Sequence, residues 1–357
     1  MNAGQAKQIA AAWVGENLAQ WQGLIGAHLV GGITTMPDDA PFPTYKDVDV
    51  HLIFDIGSPM LEPTGPFMTM LEVPFNGMLI EAGVKPVTDY ASAEAVLANP
   101  EIAHHLTVNS VLYDPGGWLQ DLQELVRLDY PRRRWVQARL DFERNGLEGA
   151  LALKEMARGM YGASGEVSVL GYTTTYIGAA LCVAQLLAPS IGGRLWVRMR
   201  ATLTQFDRLD LYDELLDLLG VKDVDQIRAQ QILNEGAEAF DRAVEIRRTP
   251  HPFQHKLHLH LRPYFVESCQ RMIDEGYYRE ALGWTTPFLL AATDVILVDG
   301  DETEKPTYAA MQQGVLETLG MADDGALDAK FAQAGQLYAQ FFALADEIVA
   351  TNSLVME

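Results

Sequence analysis

Apolar residues change their period once along this chain. In the first third they come in short runs cut by Pro and Gly: Leu24–Val30, Val48–Phe54, Phe67–Val73, Gly77–Ala82 and Val108–Tyr113. Runs of this length, bounded by turn residues, predict strands. A helix over Ala6–Gln20 precedes them, and Ala91–Asn99 predicts a second helix before Pro100. The turn Asp114-Pro115-Gly116-Gly117 closes the strand region. From Trp118 onward the spacing is helical, as in Leu119/Leu122/Leu125/Val126, then Arg134–Met160, Tyr172–Ala188, Val224–Ile246, Tyr278–Val298 and Leu327–Ala350. The pattern predicts an α+β chain: a mixed β-sheet domain over residues 1–125, then an all-α helical bundle over residues 126–357.

One strand carries a feature that packing alone does not explain. Lys46-Asp47-Val48-Asp49-Val50-His51-Leu52-Ile53-Phe54 places two acids at i and i+2, hence on one face, roughly 6–7 Å apart along the backbone. Carboxylates that lose water together need compensation, and a divalent cation supplies it. A Gly31-Gly32 turn lies upstream. A third acid, Glu81, sits inside the apolar run Met78–Ala82. An unpaired carboxylate buried there is costly. Its partner is either a metal shared with Asp47 and Asp49 or a cation such as Lys85 or Arg134.

Composition narrows the function. The chain has 357 residues, nearly half of them apolar, and a formal net charge of -22. Such acidity argues against binding nucleic acid, which needs a basic stripe, and suits a cationic small molecule or a basic protein. Cys182 and Cys269 form neither a disulfide framework nor a zinc pattern, so a reducing cytoplasm is expected. The longest apolar run, Tyr172–Pro189, contains Thr173, Thr174, Thr175 and Gln185; it predicts a buried core helix and no membrane partner.

Gly31-Gly32-Ile33-Thr34, then Lys46-Asp47-Val48-Asp49-Val50, then Glu81 on a later strand resembles the nucleotidyltransferase superfamily that includes DNA polymerase beta. The aminoglycoside (kanamycin-type) nucleotidyltransferases are the nearer likeness, through Thr88-Asp89-Tyr90-Ala91-Ser92-Ala93 and Ser110–Leu119. The likeness covers about residues 24 to 150. It implies transfer of a nucleoside monophosphate from a magnesium-bound nucleoside triphosphate to a small-molecule hydroxyl, in a homodimer. Asp47, Asp49 and Glu81 would hold Mg2+, and Gly31, Gly32, Thr34 and Lys46 would meet the nucleotide. Glu148, early in the helical domain, would be the base for the acceptor. Two departures matter. The family's turn is Gly-Ser, whereas here the second residue is Gly32. No basic residue lies between Ile33 and Tyr45. They keep open an inactive binding or regulatory protein on the same scaffold.

The remaining motifs read as structural. His251, His255 and His258 have helical spacing, but Pro252 interrupts the run, so histidines at a helix start are expected there rather than a metal site. His104-His105 predicts a loop, and Gly162–Glu166 a helix-to-helix turn. Arg132-Arg133-Arg134 predicts ion pairs ahead of a phosphate site.

Overall fold

The computed structural model describes residues 1–43, 45–62, 70–189, 192–251 and 256–357. The fold is α+β, a mixed five-stranded sheet followed by helices. Contacts divide the chain into two compact units. The first comprises Met1–Phe142, Cys182–Ser190 and Ile348–Glu357; the second comprises Glu143–Leu181 and Ile191–Glu347. Residues 126–142, placed with the helical domain on periodicity, therefore pack with the sheet.

In the first unit, α1 (Ala3–Asn17) opens on a capping box between Asn2 and Gln5. The strands are β1 (Leu24–Leu29), β2 (Asp47–Phe54), β3 (Met70–Phe75), β4 (Met78–Pro86) and β5 (Val111–Tyr113). Their order is β3-β4-β2-β1-β5, with β2 and β4 parallel and the other neighbours antiparallel. Of the strand expected at Phe67–Val73, residues 67–69 lie outside the described residues. A two-residue turn joins β3 to β4. Asn76 and Gly77 have φ of 48° and 78° there, the left-handed pair that matches strand twist in a tight hairpin.

Alternation then assigns the faces. Val48, Val50, Leu52 and Phe54 of β2, with Ile80, Ala82 and Val84 of β4, form one core with Ala6, Ala10, Trp13 and Val14 of α1. The opposite face carries Asp47, Asp49, His51 and Ile53. Ile53 joins a second core with α2 (Ala93–Ala98), α3 (Pro100–Ala103) and α4 (Trp118–Asp129). Helices thus cover the Ile53 end of that face, and the half-buried acids lie at its other end.

Next comes α5 (Arg133–Ala152). Its Arg139 is fully buried, and two guanidinium nitrogens donate to Leu97 O (2.8 Å) and Tyr130 O (2.9 Å). Both carbonyls close helices, where the macrodipole favours a cation, and the guanidinium also lies 4.1 Å from the Tyr130 ring centroid. Burial lowers its pKa to about 10, so it stays charged at neutral pH. Arg139→Ala strands two carbonyls and leaves a cavity. A loss of about 3–5 kcal/mol is expected in urea denaturation. A loss below about 1 kcal/mol would mean that the site closes over the missing side chain.

Each arginine of the 132–134 run meets a carboxylate: Arg132 and Arg134 reach Asp129, and Arg133 reaches Glu357. The second unit is helical: α6 (Lys154–Ala184), α7 (Leu195–Gln205), α8 (Leu209–Leu218), α9 (Gln226–Ile246), α10 (Ser268–Asp274), α11 (Tyr278–Asp299), α12 (Lys305–Thr318) and α13 (Asp324–Thr351). Where a helix-to-helix turn is expected at Gly162–Glu166, two helical stretches of α6 meet across a kink at Gly162 (φ 59°, ψ -141°). Two helices, Lys154–Ala184 and Tyr278–Asp299, are long and apolar enough to cross a membrane, and 67% of each apolar window is buried in the protein. That burial is what core helices require.

Candidate metal and nucleotide site

The parallel pairing of β2 with β4 puts Asp49 beside Glu81. Asp47 shares their face by its i, i+2 spacing. One oxygen from each of the three half-buried carboxylates lies within 4.8 Å of the other two. At that range each pair repels by about 3 kcal/mol in an effective dielectric near 20. Neighbouring oxygens on one Mg2+ would be about 3 Å apart, so the three side chains would have to draw together to hold a single ion. Three carboxylate oxygens are also the hard donors that Mg2+ takes. Among the described residues, no other group of histidines, cysteines and acids reaches this spacing.

The upstream turn is built onto this cluster. Gly31 has φ +68°, and a Cβ there would fall inside the Asp49 Oδ2 contact radius and 2.8 Å from Asp49 Cγ. Val30 N–H donates to Asp49 O (3.0 Å), which fixes the backbone on both sides of the contact. Gly32 differs: its φ is not left-handed, and a Cβ there would meet no atom within 4 Å. Thr34 is buried, with its hydroxyl turned inward to Gly31 O (2.8 Å). Lys46 is half-buried just before β2, and Glu148 is exposed on α5 in the second unit.

Beyond the acids, the same sheet face holds a buried polar network that no sequence motif announces. Tyr90 O–H lies 2.8 Å from His28 Nε2 and 3.0 Å from His51 Nδ1. His28 Nδ1 faces Leu29 O at 3.0 Å and so carries the proton. It follows that Tyr90 donates to His28 Nε2 and accepts from His51 Nδ1–H. Burial holds His28 down at about 4 and His105 at about 3, and pushes the Tyr90 phenol well up, so the network is neutral at pH 7. His104 and His105 form a short buried turn rather than the expected loop.

Glu72 was also missed. It stands opposite Glu81 across the β3–β4 hairpin, a fourth acid on that face. The signal was present: the Asn76-Gly77 turn sets Phe75 against Met78, and counting three residues outward from each pairs Glu72 with Glu81. In the 251–260 region, His251 is buried 4.9 Å from the Tyr161 ring, and His255 lies outside the described residues.

No family model and no curated protein matches this chain. Among solved structures, a nucleotidyltransferase-like protein from Exiguobacterium sibiricum is similar over 76% of this chain and 91% of that one, at 14% identity. The TM-score is 0.30, too low to bear on the site.

Proposed function

We propose that the protein is a metal-dependent nucleotidyltransferase. The observation that carries this reading is the convergence of Asp47, Asp49 and Glu81 beside a glycine turn whose shape accommodates the Asp49 carboxylate. Asp47, Asp49 and Glu81 would hold Mg2+. When bound, such an ion neutralises triphosphate charge and polarises the reacting phosphoryl group. Gly31 and Gly32 keep the backbone open to the phosphates, and Lys46 offers a positive charge beside β2. The acceptor hydroxyl oxygen bonds to the α-phosphorus, the bond from that phosphorus to pyrophosphate breaks, and the hydroxyl proton passes to a general base. A net charge of -22 favours a cationic, polyhydroxylated acceptor of aminoglycoside type. Cys182 and Cys269, both buried and outside any disulfide, are compatible with a reducing cytoplasm.

A second reading is a binding or regulatory protein that keeps the scaffold without turnover. It is favoured by Gly32 in place of serine and by the inward Thr34 hydroxyl. Calorimetric titration of a non-hydrolysable ATP analogue, with and without magnesium, tests both. Under the first reading, wild type binds only with magnesium, and Asp49→Asn loses at least about 100-fold in affinity. Binding unchanged in that variant would sink the metal assignment. Magnesium-dependent binding without turnover of any acceptor would move the conclusion to the second reading.

A further inference from the structure

The turn that meets Asp49 is fastened from inside by residues that no step of the proposed reaction uses. Thr34 O–H donates to Gly31 O at 2.8 Å. With its proton committed there, Thr34 Oγ1 accepts from His105 Nδ1, 3.2 Å away. His105 is only 4% exposed and comes from a distant segment, where Ser110 O–H donates to its backbone carbonyl at 2.6 Å. A continuous chain therefore runs from the His104–Leu106 turn through Thr34 to the carbonyl of Gly31, and Gly31 is the residue packed on the Asp49 carboxylate.

Resting on the function proposed above, we infer that Thr34 and His105 are positioning residues for the metal-nucleotide centre, holding the Gly31 turn where it fixes the Asp49 carboxylate. Neither belongs to the cluster of three carboxylates. Loss of the Thr34 hydroxyl frees the Gly31 carbonyl and leaves a buried imidazole N–H without its acceptor. The turn then drifts, and Asp49 samples orientations that do not converge with Asp47 and Glu81. A side chain that only fills space at position 34 would predict something different, because valine has the same shape as threonine.

The test measures binding of Mn2+ alone, and of a magnesium-bound ATP analogue, well below each variant's melting temperature. The variants are Thr34→Val, Thr34→Ser, His105→Leu and His105→Asn, with Asp49→Asn as reference. Thr34→Val and His105→Leu are expected to bind Mn2+ about 10–100-fold more weakly, as loss of an outer-shell partner does. Thr34→Ser keeps the hydroxyl, and His105→Asn places an amide N–H near the Nδ1 position, so both should stay within about threefold of wild type. Wild-type affinity in Thr34→Val and His105→Leu, with binding lost in Asp49→Asn, overturns the inference and leaves the function standing. Equal weakening in Thr34→Val and Thr34→Ser also overturns it, since packing alone would then be responsible. A wild type that binds neither Mn2+ nor the nucleotide removes both proposals.

Discussion

Gly31→Ala should abolish magnesium-dependent nucleotide binding, whereas Gly32→Ser should leave it intact. The two glycines are adjacent in sequence and opposite in constraint. At Gly31 a methyl group meets the Asp49 carboxylate, with Cγ 2.8 Å away, on a backbone at φ +68°. A left-handed conformation costs an L residue about 1–2 kcal/mol. The contact adds a larger penalty unless Asp49 turns its carboxylate away. The backbone offers little relief, because Val30 N–H is bonded to Asp49 O. Rotation of the carboxylate is the cheapest escape, and it takes away one of the three carboxylates proposed to hold the metal. A loss of at least about 100-fold in affinity follows, with a fall in stability of about 2 kcal/mol. Gly32 has open space and an ordinary φ, so serine fits without moving a neighbour. Calorimetry beside thermal melts separates the effects. Wild-type affinity in Gly31→Ala would take the turn out of the site.

The acids were legible because their signal is local. Asp47 and Asp49 lie two residues apart on a run whose other members are apolar, and strand period alone puts them on one face. Glu81 announced itself as a charge within an apolar strand. What the sequence could not order was the strands. That β4 lies beside β2, parallel and with Glu81 level with Asp49, depends on a connection through β3 that periodicity does not describe. The polar network was invisible for the same reason. His28, His51, Tyr90, His105 and Thr34 come from separate segments, and each alone reads as an ordinary strand or loop residue. Helical texture after Trp118 was plain, yet it carried no sign that residues 126–142 pack with the sheet. The amphipathic pattern of α4 and α5 shows that a face is buried, not what covers it. Arg139 is the extreme case: an arginine in a helical pattern reads as solvated, and only two helix ends converging on it make burial tolerable.

The same network should make the sheet unit labile to mild acid. His28 and His105 titrate in the folded protein near 4 and 3, held down chiefly by burial. In the unfolded chain a histidine titrates near 6.5. Below pH 6.5 the unfolded state therefore takes up protons that the folded state refuses, and stability falls as pH falls. Between pH 7.5 and 4.5 these two residues together remove about 5 kcal/mol, and His104, also held near 4 by burial, removes up to about 2 kcal/mol more. Asp294, in the second unit, works in the opposite sense. Burial raises it to about 6, so the folded state gains a proton there first and recovers part of the loss. Against a typical margin of about 5–15 kcal/mol, the histidine term is a large fraction of the stability near pH 4.5. Urea midpoints followed by tryptophan fluorescence from pH 7.5 to 4.5 should fall steadily below pH 6.5. His28→Gln retains an acceptor for Tyr90 without a titrating ring, and should lessen the slope by about one proton, or about 1.4 kcal/mol per pH unit. Midpoints that stay level down to pH 5, or a slope unchanged in His28→Gln, would mean that these histidines take up protons in the folded protein and that the network is not the neutral one described.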